Sequence, residues 1–88
     1  MARPRNPRKR EAESLFQFRI DVPVPEGGLG SRLNEMLDWC RANVESGQWA
    51  QHGHVQKQRG RIALDYARFY FALEADADLF WWRWCLPQ

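Results

Sequence analysis

Ile62-Ala63-Leu64-Asp65-Tyr66-Ala67-Arg68-Phe69-Tyr70-Phe71-Ala72-Leu73 is the stretch on which the fold turns. Two periodicities compete in it. Ile62, Tyr66, Phe69, Tyr70 and Leu73 fall at helical spacing, while Ala67, Phe69, Phe71 and Leu73 would line one face of a strand. The aromatic run Phe69-Tyr70-Phe71 decides for a strand, because ring side chains pack well on a pleated, half-buried surface.

Downstream, Glu74-Ala75-Asp76-Ala77-Asp78 opens a helix whose acids complement its N-terminal dipole, and Arg83 suits its last turn. Ala77, Phe80, Trp81 and Trp84 fall on one face of it, while Leu79, Trp82 and Arg83 point elsewhere. Upstream, Phe16, Phe18, Ile20, Val22 and Val24 alternate with Gln17, Arg19, Asp21 and Pro23, which predicts a strand with one buried face. Pro23 and Pro25 lack amide donors and end that strand or set it at an edge. The loop from Glu26 to Gly30 leads to Ser31, a predicted N-cap. Leu33, Met36, Leu37, Cys40 and Val44 then mark an amphipathic helix that ends at Ser46-Gly47. Residues 49–56 read as a weak strand and Lys57-Gln58-Arg59-Gly60-Arg61 as a basic turn.

The element order is therefore β-α-β-β-α. The fold class is α+β, a small antiparallel sheet with two helices packed on one face. Phe16, Phe18, Ile20, Phe69 and Phe71 should meet Leu37, Cys40, Phe80 and Trp84 in the core. The arrangement is an incomplete relative of the split βαβ unit. No internal repeat is visible.

Length limits the chain to one domain, since 88 residues lie near the lower bound for a core without staples. Eight of the twelve aromatic residues fall from Tyr66 onward, so that end should carry much of the folding energy. No apolar run approaches the ~18 residues of a membrane-spanning helix, and the first residues lack the apolar stretch of a secretory signal. A cytoplasmic location follows as the expectation, with the two cysteines, Cys40 and Cys85, as reduced thiols.

The net charge of +2 conceals an asymmetry. Arg3, Arg5, Arg8, Lys9 and Arg10 carry five positive charges with no acid among them, while the remaining 78 residues hold eight Lys or Arg against eleven Asp or Glu. Residues 1–13 are accordingly expected to form a disordered basic arm on a folded domain of residues 14–88.

Chemistry-bearing patterns are sparse. His52 and His54, with Cys40 and Cys85, supply four side chains of the kind that bind zinc, but none of the tight paired spacings of zinc sites. They are expected to be surface histidines and small core thiols, with no metal. Gly27-Gly28-Leu29-Gly30 matches neither phosphate-loop pattern and serves as a bend. Asp76 and Asp78 are helix-start residues rather than an acid–base pair. No nucleophile motif is present, so neither a catalytic residue nor a cofactor is assigned, and the chain is expected not to be an enzyme.

Two binding features remain. Leu79, Trp82 and Arg83 have the makeup of a protein-interface hot spot if the last helix buries Phe80, Trp81 and Trp84. Arg3, Arg5, Arg8, Lys9 and Arg10, with Lys57, Arg59 and Arg61 as a second patch, would suit phosphate contacts to nucleic acid.

The segment Arg68-Phe69-Tyr70-Phe71 through Asp76-Ala77-Asp78-Leu79-Phe80 to Arg83-Trp84 resembles the C-terminal signature of small uncharacterised phage and prophage proteins. These have an aromatic strand, an acidic turn, Asp-Ala-x-x-Phe and a closing Arg-Trp. The resemblance covers about 17 residues, extends to Trp49, and does not include the double Trp81-Trp82 or the basic arm. It implies a strand from Arg68 to Leu73 and a viral or prophage source, with no activity attached. The reading is a small, non-catalytic, cytoplasmic accessory protein that binds a protein partner; the alternative is a nucleic-acid-binding accessory protein. The sequence names neither the partner nor the oligomeric state.

Overall fold

A computed structural model describes residues 8–45, 47–56 and 64–86. Its elements are α1 (Lys9–Leu15), β1 (Phe18–Pro23), α2 (Ser31–Asn43), β2 (Trp49–Gln56), β3 (Leu64–Phe71) and α3 (Glu74–Trp84). The contested stretch is a strand. It is also the central one: the sheet order is β1-β3-β2, with both outer strands antiparallel to β3. Since β1 and β2 both run against β3, they are parallel to each other, joined through α2 and separated by β3. That is the split βαβ connection expected from the element order.

Register assigns the two faces. Phe18, Ile20 and Val22 stand opposite Phe71, Phe69 and Ala67 on the β1–β3 ladder, so these six side chains share one face. Arg19 and Asp21 stand opposite Tyr70 and Arg68 and share the other. The first face carries the main core, in which Phe69 and Phe71 meet Met36, Cys40 and Val44 of the α2 segment and Ala77 and Phe80 of α3. Phe80 is its centre, with ring centroids 4.5 Å from Phe69, 5.4 Å from Phe71 and 5.9 Å from Trp39. Both α2 and α3 therefore pack on one face, as the periodicities of the two helices require.

The opposite face is where the structure departs from the sequence reading. Residues 9–13, assigned there to a disordered arm, begin a third helix, α1, which seats Ala12 and the following Phe16 on Tyr70 and Ala50. The element order is thus α-β-α-β-β-α, with helices on both faces. A seven-residue helix has little stability alone, so α1 exists through this docking. Phe16 consequently belongs to the α1 side rather than to the β1 face it was expected to share with Phe18 and Ile20. Tyr70 is wholly buried beneath it.

Other boundaries moved by small steps with clear causes. The first helix residue is Ser31 and the N-cap is Gly30, whose φ of 59° lies where glycine is favoured and other residues are rare, so Ser31 does not cap. α2 ends earlier than expected, at Asn43 with Val44 as its C-cap, and Gly47, with φ 68°, turns the chain beyond it by donating its N–H to the Val44 carbonyl. β3 stops at Phe71, and Leu73 becomes the exposed N-cap of α3 instead of a strand residue. Ile62 lies outside the described residues. The weak strand of residues 49–56 is real, because β3 offers it a complete antiparallel edge.

Candidate functional site

α3 presents its inner side to the sheet through Ala77 and Phe80, three residues apart and both buried. Trp84, one turn on, is half-buried against the same core. Its indole is flanked by cations: the Arg83 guanidinium carbon lies 3.9 Å from the ring centroid and that of Arg32 at 5.5 Å. Its indole nitrogen is buried without a hydrogen-bond partner among the described residues.

The outer side of α3 is apolar and open. Trp82 is 62% exposed, Leu79 54% and Trp81 43%. Leu79 and Trp82 are neighbours at three-residue spacing, and Trp81 meets Trp82 edge to face, with centroids 5.8 Å apart and planes at 88°. Two of the three residues expected in the protein-binding patch, Leu79 and Trp82, are thus brought together on an exposed surface. Arg83 is exposed on the flank beyond Leu79, with its guanidinium turned to Trp84. Trp81, expected in the core, is instead part of the patch. Its position lies at the margin of the helical face buried by Ala77 and Phe80, and it is not among the side chains packed against the core.

The basic residues give no assembled site among the described residues. Arg8 and Arg10 are exposed at the start of α1 and are followed by the acids Glu11 and Glu13, and Lys9 is the first residue of that helix. Arg3, Arg5, Lys57, Arg59 and Arg61 lie outside the described residues.

The four conceivable zinc ligands do not converge. Cys40 is buried in the α2–α3 core, with Cys85 packed against it, while the rings of His52 and His54 stand on the other face of the sheet, beside Tyr70 and Tyr66. Burial pushes the Cys40 thiol up to about 12 and raises that of Cys85. Both are free and poorly ionised, the opposite of what a nucleophile or a thiolate ligand requires. Asp76 and Asp78 sit in the first turns of α3, as helix-start residues do.

One charged constellation was not legible in the sequence. Arg68 of β3 binds Asp21 of β1 on the α1 side of the sheet, through Nε to Oδ1 at 2.7 Å and Nη2 to Oδ2 at 3.0 Å. The hydrogen bond from Arg68 holds the Asp21 carboxyl below its ordinary value. The Tyr70 hydroxyl, next on that face, reaches Glu13 of α1 at 3.5 Å. These groups tie α1, β1 and β3 together. Only the β1–β3 register, which no local pattern specifies, pairs residue 21 with residue 68.

No protein-family model, curated protein or solved structure matches this chain. No helix among the described residues is long and apolar enough to cross a membrane.

Proposed function

We propose that this protein is a small non-catalytic binding protein that engages a protein partner through the outer side of α3. The observation that carries this reading is the contiguous exposure of Leu79, Trp81 and Trp82 on one rigid helix. Leaving so much aromatic surface in water has no folding benefit, and large exposed apolar patches on small domains mark interaction sites. Tryptophan is among the residues enriched at the energetic hot spots of such sites. The helix is anchored by Phe80 in the aromatic core, so the patch is presented without an ordering cost at binding. Two unpaired, weakly ionised thiols support a reducing compartment, the cytosol.

The test is affinity capture from the native host after nuclease treatment, comparing the wild type with Trp82→Ala. Trp82→Ala should fold normally by circular dichroism and lose about 2 kcal/mol or more of affinity for whatever the wild type retains. Capture that is unchanged by Trp82→Ala and Leu79→Ala would refute the reading. Capture lost on nuclease treatment would favour the nucleic-acid alternative.

A further inference from the structure

The exposed side of α3 is anionic as well as apolar. Glu74 and Asp78 are one turn apart, and Asp78 stands three and four residues before Trp81 and Trp82, so all four occupy neighbouring positions on the helix surface. All four are exposed. Neither acid has a hydrogen bond or ion pair among the described residues. The one cation of the helix, Arg83, is committed to the ring of Trp84.

The contrast with Trp84 is instructive. That ring has two guanidinium groups beside it, whereas no described cation lies over Trp81 or Trp82. The two rings meet edge to face and both remain exposed, so a cationic group would stack on an open ring face at the outside of the pair rather than between the rings. A ring face attracts a cation within about 6 Å of its centroid, most strongly for tryptophan. Carboxylates one turn away add a second attraction of the same sign. A purely apolar partner would gain from the rings but would face Glu74 and Asp78 without compensation.

We infer that the partner, in the protein-binding role proposed above, presents an arginine or lysine side chain that lies against Trp81 and Trp82 with its charge toward Asp78 and Glu74. Arginine fits better than lysine, because a planar guanidinium stacks on an indole face and still donates to a carboxylate at its edge. The stem of the same side chain would cover Leu79.

The experiment follows the tryptophan indole N–H resonances of the full chain in nitrogen-15 correlation spectra. Nα-acetyl-arginine amide is titrated to millimolar concentration, with Nα-acetyl-norleucine amide as the neutral analogue of similar length. Saturable shifts of the Trp81 and Trp82 signals are expected with the arginine derivative. Trp84 should be unmoved, since its ring is already flanked by cations. Asp78→Asn should weaken the apparent affinity at least about threefold, and Trp82→Ala should abolish the response. Asp78 is exposed, and a preserved spectrum elsewhere verifies that the variants are folded.

Equal shifts from the norleucine derivative would overturn the cationic partner while leaving an apolar protein-binding surface in place. Undiminished binding to Asp78→Asn would also overturn it. No shift from either compound, together with capture that ignores Trp82→Ala, would remove both this inference and the reading on which it rests.

Discussion

Arg68 and Asp21, 47 residues apart in sequence, face each other across the β1–β3 ladder as a two-point fork. The guanidinium matches the carboxylate geometry, and the Arg68 side chain is only 13% exposed, so the contact is better than an ordinary surface ion pair. Asp21 at 36% keeps one side in water, which screens the pair and limits its contribution. The fork is a consequence of the β1–β3 register, which sets Asp21 opposite Arg68 on the face that α1 covers.

Acid titration should expose this pair. The hydrogen bond from Arg68 holds the Asp21 carboxyl below its ordinary value, so the folded state binds that proton less readily than the unfolded chain. Stabilisation is therefore complete above about pH 4 and is lost as the pH falls through the depressed folded value. Asp21→Asn should cost about 0.5–1.5 kcal/mol at pH 7 and flatten the acid limb of stability. Urea melts of both proteins between about pH 2 and pH 7 provide the check. Parallel acid limbs would show that other carboxylates govern the transition.

Phe16→Ala should reveal what α1 contributes. Phe16 and Ala12 supply the buried apolar contacts of the α1 segment with Tyr70 and Ala50, the long 3.5 Å hydrogen bond from Tyr70 to Glu13 adds little, and a seven-residue helix is not stable alone. A loss of about 2–4 kcal/mol is expected, with faster hydrogen exchange in residues 9–15. A variant as stable as the wild type would mean that α1 docks too weakly to count as part of the core.

Phe80→Ala and Trp84→Ala should differ. Phe80 is fully buried and in ring contact with Phe69, Phe71 and Trp39, so its truncation should cost about 3–5 kcal/mol, a large share of the stability of so small a domain. Trp84 is half-buried, beside two arginines, with an unpartnered indole N–H, and should cost about 1–3 kcal/mol. Trp84→Phe should cost less than Trp84→Ala, because it keeps an aromatic ring beside the two arginines and removes a buried donor that has no acceptor among the described residues. Chemical denaturation of the three variants ranks them, and a Trp84→Ala loss equal to that of Phe80→Ala would contradict the packing.

Thiol labelling should separate the two cysteines. Cys40 is fully buried with its thiol raised to about 12, while Cys85 is partly accessible and less strongly shifted. At mildly alkaline pH a disulfide reagent should modify Cys85 slowly and Cys40 only on unfolding. Fast modification of both in the native protein would place Cys40 outside the core.

Local pattern alone determined β1 and the two long helices, whereas β3 was settled by its aromatic composition over a competing helical spacing and β2 was only weakly marked until β3 offered it an edge. A period of two in Phe18-Arg19-Ile20-Asp21-Val22 and spacings of three and four in Met36, Cys40, Ala77 and Phe80 arise from backbone geometry. They state which side of each element is apolar before anything packs against it. The exposed pair Leu79–Trp82 was legible for the same reason, as the side of α3 opposite Ala77 and Phe80. Three things were decided only by the tertiary structure. α1 carries too few apolar residues to announce itself, and it forms because the β3 face beneath it has Tyr70 to bury. Trp81 and Trp84 both flank the inner side of α3, and the position of α2 and Arg32 leaves Trp84 covered and Trp81 in water. The Arg68–Asp21 fork depends on strand register, which distant parts of the chain set together when they share one core.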